Sequence, residues 1–283
     1  MIEVLSALPG LRERVRGWKR AGLRVGFVPT MGNLHAGHAS LVRLAREHAD
    51  RVVASVFVNP TQFGPGEDFE RYPRTPDADA GALEAAGCDL LWLPSLETMY
   101  PFGADATVQV RVPGVTTVLE GAHRPGHFDG VATVVARLFN QVGPDAAVFG
   151  RKDYQQLAVI RYLVADLAFP LEIVAGETVR EADGLALSSR NQYLSPEERA
   201  RAPALQRALQ ALRDALLAGA ARADAEADAA DTLRRAGFDV DYIVARRRDL
   251  SEPAPGERGG RVALAAARLG RTRLIDNLEF ELH

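Results

Sequence analysis

The fold is decided by a stretch near the amino terminus, Arg24-Val-Gly-Phe-Val-Pro-Thr-Met-Gly-Asn-Leu-His-Ala-Gly-His38. Its first part, up to Pro29, is apolar and rich in valine, which is typical of a buried strand. Beyond the loop, residues 38–49 place Leu41 and Leu44 three positions apart in an apolar pattern, which predicts an α-helix. A strand, a glycine-containing loop and a helix are therefore expected in that order.

The same alternation continues along the first two-thirds of the chain. Strands joined by helices of this length predict right-handed crossovers and a parallel sheet. Ligands of such sheets bind at the carboxyl ends of strands, near a switch in strand order. We therefore expect the chemistry in the loops after Val28, Val58 and Phe149. The further predicted strands are 51–58, 89–93, 146–149 and 171–174, and the helices are 76–86, 131–142 and 153–163.

The composition changes after about residue 180. Ser195-Pro-Glu-Glu198 is a strong helix start, with a capping serine, proline at the first position and a capping-box glutamate. The sequence therefore predicts an α/β fold with a Rossmann-like parallel sheet and helices on both faces over residues 1–178. A smaller C-terminal α+β domain is predicted over residues 179–283. Its expected helices run to about 218 and over about 224–236, and its strands cover 238–245, 261–267 and 272–275.

Composition excludes several classes of protein. The 283 residues are 47% hydrophobic and 25% charged, which is typical of soluble globular proteins. A net charge of −3 gives no basic footprint for nucleic acid. The single cysteine, Cys88, excludes an internal disulfide and is expected in the core. With neither a signal-peptide pattern nor an apolar stretch long enough to span a bilayer, a cytoplasmic location without membrane contact is expected.

The loop before the first predicted helix carries the pattern H-x-G-H. Gly32 lets the backbone approach a ligand closely, and Gly37 keeps the helix entrance free of a Cβ atom. His35 and His38 are three positions apart at a helix amino terminus, so both rings can face one ligand. The free N–H groups and positive dipole there suit phosphates. Two imidazoles add donors that strengthen as charge develops on an α-phosphate.

Other functions of this loop are less compatible with its residues. It contains neither G-x-G-x-x-G nor G-K-[ST], so it is not a dinucleotide fingerprint or a Walker loop. A His-x-x-His pair can ligate zinc, but the further Cys/His cluster of a zinc site is missing. Either histidine alone would more often be an ordinary surface or core residue.

H-x-G-H in this position resembles the nucleotide-binding motif of the nucleotidyltransferase superfamily, which includes class I aminoacyl-tRNA synthetases. The longer string Val28-Pro-Thr-Met-Gly-Asn-Leu-His-Ala-Gly-His38 resembles the pantothenate synthetase family in particular. That family condenses (R)-pantoate with β-alanine, uses ATP and magnesium, and releases AMP and pyrophosphate. The resemblance therefore implies an ATP-dependent, AMP-forming carboxylate–amine ligase of pantothenate biosynthesis.

Two glutamines match the family's pantoate site. One lies in Phe57-Val-Asn-Pro-Thr-Gln62-Phe, after the second predicted strand, where amide groups can bind the hydroxyl and carboxylate of a small acid. The resemblance implies that Gln62 binds pantoate and borders the β-alanine site, and that Gln156 also binds pantoate. Taken alone, Gln62 would more often simply stabilise its loop.

Two loops, Arg71-Tyr-Pro-Arg74 and Glu120-Gly-Ala-His-Arg-Pro-Gly-His-Phe128, also match the family pattern. They concentrate ring and guanidinium groups that could close over anionic substrates. Surface arginines are usually just solvated, so the individual roles stay open.

A further junction, Phe149-Gly-Arg-Lys-Asp-Tyr-Gln-Gln156, follows a predicted strand. Gly150 permits close approach, and Lys152 is a compact charge suited to phosphate. Asp153 can cap the helix or, in the family, touch ATP. The commoner family string has glutamate at the position of Arg151, which here adds positive charge beside Lys152.

The second domain opens with Leu187-Ser-Ser-Arg-Asn191. This resembles the family's counterpart of the mobile lysine–serine loop of class I synthetases, which implies contacts to the β- and γ-phosphates. The matches run in order as far as Leu274-Ile-Asp-Asn277. The residues implied in catalysis are His38, His35, Lys152, Ser188, Ser189 and Arg190. Those implied in ATP binding are Met31, Gly32, Asn33, Leu34, His35, Ala36, Gly37, His38, Gly150, Arg151, Lys152, Asp153, Val179, Leu187, Ser188, Ser189 and Arg190.

The resemblance also implies a mechanism and partners. The pantoate carboxylate attacks the α-phosphorus of ATP, and β-alanine then displaces AMP from pantoyl-adenylate. His38 carries the family's proton-donor role, and the second domain closes as a lid. Magnesium is expected with the ATP phosphates rather than on protein ligands alone. A homodimer is expected.

Features of the sequence distinguish three alternative functions from the ligase function. A nucleotidyltransferase that moves AMP or CMP onto a phosphate shares H-x-G-H, but the small-acid loop at Gln62 disfavours it. A tRNA synthetase is disfavoured by length, acidity and the missing tRNA-binding domain. A non-catalytic nucleotide sensor would not need H-x-G-H, Lys152 and the 188–190 loop together.

Overall fold

The computed structural model describes residues 2–283, so Met1, where the predicted first domain begins, lies outside the described residues. The chain divides into two compact units. The first contains the residues up to Arg151 together with Gln155–Glu177, and the second contains Lys152–Tyr154 together with Thr178–His283. The assignment of the first unit to substrate binding and of the second to a lid remains a prediction.

A six-stranded parallel sheet forms the centre of the first unit, which confirms the predicted Rossmann-like architecture. The strand order is β1-β4-β3-β2-β5-β6. The order reverses at β2, because β3 lies on one side of it and β5 on the other. The strands are β1 (Glu3–Leu5), β2 (Val25–Thr30), β3 (Arg51–Val56), β4 (Leu90–Trp92), β5 (Ala146–Gly150) and β6 (Glu172–Gly176).

Helices cover both faces of this sheet, because alternate strand residues are apolar and point to opposite sides. The helices are α1 (Leu8–Arg20), α2 (Ala36–His48), α3 (Pro76–Ala85), α4 (Leu96–Met99), α5 (Glu120–His123), α6 (His127–Val142) and α7 (Tyr154–Asp166). Phe27 belongs to the core under α1, α6 and α7. Its neighbour Val28 belongs to the core under α2 and α3. None of the helices within residues 2–283 is both long and apolar enough to cross a membrane.

The second unit is a three-stranded antiparallel sheet covered by helices, as predicted. Ala263, Ala265 and Ala267 lie buried on one face of the central strand. These small side chains let the apolar face of the helices, including Leu209 and Leu233, pack closely on the sheet. The elements are α8 (Pro196–Arg201), α9 (Ala204–Leu217), α10 (Arg222–Arg235), β7 (Asp239–Arg247), β8 (Gly259–Leu269) and β9 (Thr272–Leu282).

The structure differs from the predicted elements at several points. The short helices α4 and α5 were not predicted, and β9 extends to Leu282 instead of ending at residue 275. The single helix expected from Ser195 to about residue 218 is split into α8 and α9. The break falls at Pro203, because proline has no N–H to donate to the helical hydrogen-bond ladder. The predicted cap is confirmed, since Ser195 and Glu198 form a capping box. No element was predicted for residues 1–23, where β1 and α1 are found.

Cys88 lies in the core of the first unit, as predicted. Burial raises the pKa of its thiol to about 12. Because the thiolate is the reactive form, this cysteine is a packing residue rather than a nucleophile.

Candidate active site

The neighbouring strands β2 and β5 place two loops side by side where the strand order reverses. After β2 the chain continues into α2, which packs on one face of the sheet. After β5 it continues through one turn of 3-10 helix towards α7, whose Leu157 and Ile160 pack on the other face. Chains that leave adjacent parallel strands towards opposite faces open a crevice at the carboxyl edge. The H-x-G-H loop and Gly150 therefore lie at this edge.

The two histidines of the loop are held as a pair at the amino terminus of α2. Nδ1 of His35 accepts a hydrogen bond from the Gly37 N–H at 3.1 Å. The His35 N–H in turn donates to Nδ1 of His38 at 3.2 Å, which completes a capping box. The ring centroids are 4.1 Å apart. Because Nδ1 of each ring accepts, the neutral imidazoles carry their proton on Nε2. Nε2 is thus the donor atom of both rings, beside the positive end of the helix dipole.

A buried carboxylate on α3 fixes the backbone before the histidines. Asp79 is only 2% exposed and accepts the N–H groups of Asn33 at 3.1 Å and Leu34 at 2.8 Å. Gly32 has a φ of +86°, and a Cβ atom there would lie 2.9 Å from the Asp79 carboxylate. Sequence reasoning missed Asp79, because an acidic residue in the first turn of a helix is ordinary.

Gln62 lies beside the H-x-G-H loop. Its Nε2 donates to Sδ of Met31 at 3.0 Å. Its Oε1 accepts from Nδ2 of Asn59 at 3.2 Å. Asn59 is 1% exposed, and its Oδ1 accepts a 2.6 Å bond from the Tyr100 hydroxyl. Asn59 and Tyr100 therefore hold the amide of Gln62. The sequence had suggested the Asn59 amide as a ligand of the small acid, whereas Tyr100 was not identified from it.

The backbone of Gln62 is held by Arg124, which follows α5, and by His127, the first residue of α6. Nδ1 of His127 lies 2.8 Å from the Gln62 carbonyl, and Nε2 lies 3.1 Å from an Arg124 nitrogen. An arginine only donates, so Nε2 accepts and the Nδ1–H donates to the carbonyl. Arg124 also makes a bidentate pair with Glu67, at 2.7 and 2.6 Å.

Burial and the neighbouring Arg124 charge lower the pKa of His127 to about 4. Burial by itself raises the pKa of Glu67, but the hydrogen bond and charge of Arg124 outweigh it, so this pKa is lowered. At neutral pH, His127 is therefore a neutral imidazole that lies beside the Arg124–Glu67 ion pair. Both ring nitrogens of His127 are used within the protein, which makes it a support for Gln62.

Adjacent glutamines on α7 have different surroundings. Gln155 is 5% exposed, accepts the Glu120 N–H at 3.0 Å, and donates to the carbonyls of Val115 at 2.7 Å and Val118 at 2.8 Å. It stabilises the loop before α5, a role that the sequence did not indicate. Gln156, the predicted pantoate ligand, is half-buried on the same turn.

Arg151, the departure from the usual family string, remains in the first unit. Its Nε lies 3.4 Å from a carboxylate oxygen of Glu177, whose side chain is exposed. A pair with one exposed partner contributes little to stability.

The next residues belong to the second unit. Lys152 is half-buried, and its Nζ lies 3.9 Å from the Asp153 carboxylate. The Lys152 carbonyl accepts a hydrogen bond from Nδ2 of Asn277 at 2.9 Å.

The predicted phosphate loop ends a short hairpin of the second unit. The Leu187 N–H donates to the Val179 carbonyl at 2.9 Å, and Arg180 pairs with Ala186. Ser188 then caps one 3-10 turn by accepting the Arg190 N–H at 3.3 Å. Ser188, Ser189 and Arg190 are all half-buried.

Each unit thus contains one set of predicted site residues. Within residues 2–283, no group of three or more His, Cys, Asp or Glu side chains is arranged to hold a metal ion. The first unit holds Met31, Gly32, Asn33, Leu34, His35, Ala36, Gly37, His38, Gln62, Gly150, Arg151 and Gln156, and the second holds Lys152, Asp153, Val179, Leu187, Ser188, Ser189 and Arg190.

Comparison with known proteins identifies the family. The model of the family described as pantoate-beta-alanine ligase matches residues 3–279. The chain belongs to this family. The predicted family, fold class and ligase class are confirmed, whereas the roles of individual site residues remain predictions.

Members of this family match over almost their whole length. The pantothenate synthetase of Xanthomonas axonopodis pv. citri is 66% identical over 280 residues, which cover 99% of this chain and 100% of that protein. The crystal structure of pantothenate synthetase from Thermus thermophilus is 50% identical, with a TM-score of 0.89 over 98% of this chain and 99% of that one. The pantoate-beta-alanine ligase of Francisella tularensis, complexed with beta-gamma ATP and beta-alanine, is 30% identical, with a TM-score of 0.81 and coverage of 98% and 97%.

Proposed function

We propose that this chain joins (R)-pantoate to β-alanine with ATP, through a pantoyl-adenylate, and releases pantothenate, AMP and pyrophosphate. The observation that carries the proposal is the juxtaposition of two recognition groups in the first unit. The paired imidazoles suit a phosphate. Gln62 suits a small acid, and its Nε2 lies 3.0 Å from Sδ of Met31, which belongs to the same loop as the two histidines. A small acid and an α-phosphate bound side by side are what adenylate formation requires.

In the proposed first step, a pantoate carboxylate oxygen attacks the α-phosphorus of ATP. The bond from that phosphorus to the bridging oxygen breaks, and pyrophosphate leaves with its electron pair. His35 and His38 donate from Nε2 to the α-phosphate oxygens as their charge grows. Their preset tautomers lower the reorganisation needed at that moment, since Nδ1 of each ring is already bonded to the backbone.

Lys152, Ser188, Ser189 and Arg190 of the second unit are proposed to bind the β- and γ-phosphates and to stabilise the departing pyrophosphate. The remaining predicted ATP-binding residues surround the nucleotide, and closure of the second unit as a lid excludes water from the adenylate. Magnesium is proposed to enter with the ATP phosphates, as is common for this ion.

In the proposed second step, the neutral amine of β-alanine attacks the acyl carbonyl of pantoyl-adenylate. The carbon–oxygen bond to AMP breaks, the amide forms, and the amine loses a proton. Gln62 and Gln156 hold the pantoyl group, and His38 is the proposed proton donor to the leaving phosphate. We also propose that the enzyme acts in the cytoplasm as a homodimer, and that its product, pantothenate (vitamin B5), is used to make coenzyme A.

The test is a pyrophosphate-release assay in which ATP, pantoate and β-alanine are added singly and together. ATP with pantoate should release about one pyrophosphate per site, and continuous turnover should need β-alanine. Pantoate-dependent exchange of labelled pyrophosphate into ATP should occur without the amine. A nucleotide sensor would bind ATP without release, and a nucleotidyltransferase would need a phosphorylated acceptor. Either result would overturn the proposal.

A further inference from the structure

Strand β9 contacts two separate segments of the second unit through consecutive residues. We propose that Asp276 and Asn277 are positioning residues that set the distance between Lys152 and the Ser188–Arg190 loop. This inference rests on the proposed function, in which both segments bind the same ATP.

The first segment is held by one face of β9. Asn277 is 7% exposed, and its Nδ2 donates to the Lys152 carbonyl at 2.9 Å. Glu279, two positions along the strand and thus on the same face, accepts a 2.7 Å bond from the Tyr154 hydroxyl. Two contacts with the same two-residue spacing therefore hold the residues on both sides of Asp153, one through the Lys152 backbone and one through the Tyr154 side chain. This holds Lys152 without using its ammonium group.

The second segment is held by the preceding residue of β9. Asp276 is 4% exposed and makes a bidentate pair with Arg180, at 2.7 and 2.9 Å. Arg180 also donates to the Gly184 carbonyl at 3.0 Å, so it braces the inside of the hairpin that ends at Ser188. The Asn277 N–H donates to Asp276 Oδ1 at 2.8 Å, which links the two anchors.

The strand that connects these anchors is rigid. β9 pairs with β8 from Thr272 to Leu282 without a register shift. Because adjacent residues of one strand hold both segments, loosening either anchor lets Lys152 and the loop move relative to each other. A misplacement of about 1 Å in a reacting constellation can lower the rate about 10²-fold. Asp276 and Asn277 therefore act through residues that bind the nucleotide.

The test compares two substitutions in the same sheet. Asp276→Asn removes the charge that pairs with Arg180. Asp241→Asn is the matched control, because Asp241 makes a 2.6 Å partly buried pair with Arg273 but touches neither nucleotide segment. We expect Asp276→Asn to lower the rate of pantoate-dependent pyrophosphate release about 10- to 100-fold and to raise the KM for ATP. The KM for pantoate, whose proposed ligands lie in the first unit, should stay the same.

Asn277→Asp, which replaces the donor by a carboxylate of equal size, should give the same selective change. Asp241→Asn should lower the melting temperature and leave the KM for ATP within about twofold. Folded Asp276→Asn and Asn277→Asp enzymes with wild-type ATP parameters would overturn the inference, as would an equal change in the Asp241 variant. If Asp276→Asn does not fold, Arg180→Lys, which keeps the charge but loses the bidentate geometry, takes its place in the comparison.

Calorimetric titration with ATP separates this inference from the proposed function. A wild-type chain that binds ATP but releases no pyrophosphate would overturn the function. Weaker ATP binding by the Asp276 variant than by the Asp241 variant would still support the positioning role, and equal binding would overturn it.

Discussion

Three histidines of the first unit differ in what their surroundings leave them able to do. His35 and His38 accept backbone N–H groups at Nδ1, so that Nε2 is the donor at the amino terminus of α2. His127 donates from Nδ1 to the Gln62 carbonyl and accepts from Arg124 at Nε2. The first arrangement sets the tautomer of two rings at a helix amino terminus, whereas the second ties both nitrogens of one ring to Gln62 and Arg124.

The comparison teaches that residue type and motif membership do not define a role. All three histidines lie in strings that resemble the family pattern. What separates them is the partner of Nδ1, which is a backbone N–H for His35 and His38 and the Gln62 carbonyl for His127. For His127, burial and the Arg124 charge keep the imidazole neutral, with a pKa of about 4.

The largest effect is expected when one histidine of the His35–His38 pair is removed. We expect His38→Ala to lower the rate of pyrophosphate release about 10²- to 10³-fold, as for the loss of a preorganised donor. The melting temperature should fall by only a few degrees, because the variant folds but loses the capping bond from the His35 N–H. His48→Ala is the control, since His48 lies at the other end of the same helix and pairs only weakly, at 3.8 Å, with Glu172. Near-wild-type turnover by a folded His38→Ala enzyme would contradict the assigned role.

The second effect concerns pH and the buried histidine. Below pH 6.5 the unfolded chain protonates His127, whereas the folded chain does so only near pH 4. The unfolded state therefore binds more protons in this window, and stability falls as pH drops. When the pH falls from 7 to 5, protonation of this histidine in the unfolded chain should lower the free energy of unfolding by about 2 kcal/mol.

Urea denaturation of the wild type and His127→Gln at both pH values isolates this contribution, because the other histidines are common to the two proteins. The lowered pKa of Glu67 acts in the same direction but below the ordinary glutamate value of 4.5, outside the tested window. Parallel pH profiles for the two proteins would show that His127 is not the cause.

The third prediction concerns Gln62, which is proposed to bind pantoate, in contrast to His127, which supports it. We expect Gln62→Ala to raise the KM for pantoate about tenfold, because a substrate hydrogen bond is lost. The KM for ATP should change little. Steady-state kinetics with each substrate varied in turn provides the measurement, and unchanged pantoate kinetics would refute the role of Gln62.

The smallest effect is expected when the supporting residue His127 is replaced and Gln62, the proposed pantoate-binding residue, is kept. His127→Phe keeps a ring but deletes the hydrogen bond to the Gln62 carbonyl, so the KM for pantoate should rise only about threefold. The effect should be much smaller in the background of Gln62→Ala, since the two residues act in series. Additive effects in this double-mutant cycle would mean that His127 acts independently of Gln62.

Much of the fold follows from local patterns in the sequence. The apolar run before Pro29, the spacing of Leu41 and Leu44, and the capping box at Ser195 each predicted an element that the structure contains. The position of H-x-G-H between a strand and a helix placed it at a carboxyl edge in advance. These signals succeed because strand and helix periodicity is expressed within a few residues.

The remaining features depend on contacts between residues far apart in the chain. Asp79 is 46 positions from Asn33, His127 is 65 from Gln62, and Asn277 is 125 from Lys152. No local pattern marks an aspartate, a histidine or an asparagine for such a partner. The sequence by itself determined the elements and the chemical groups at their ends. Only the tertiary structure decided which side chains support distant segments, because their burial and hydrogen-bond partners arise when those segments pack together.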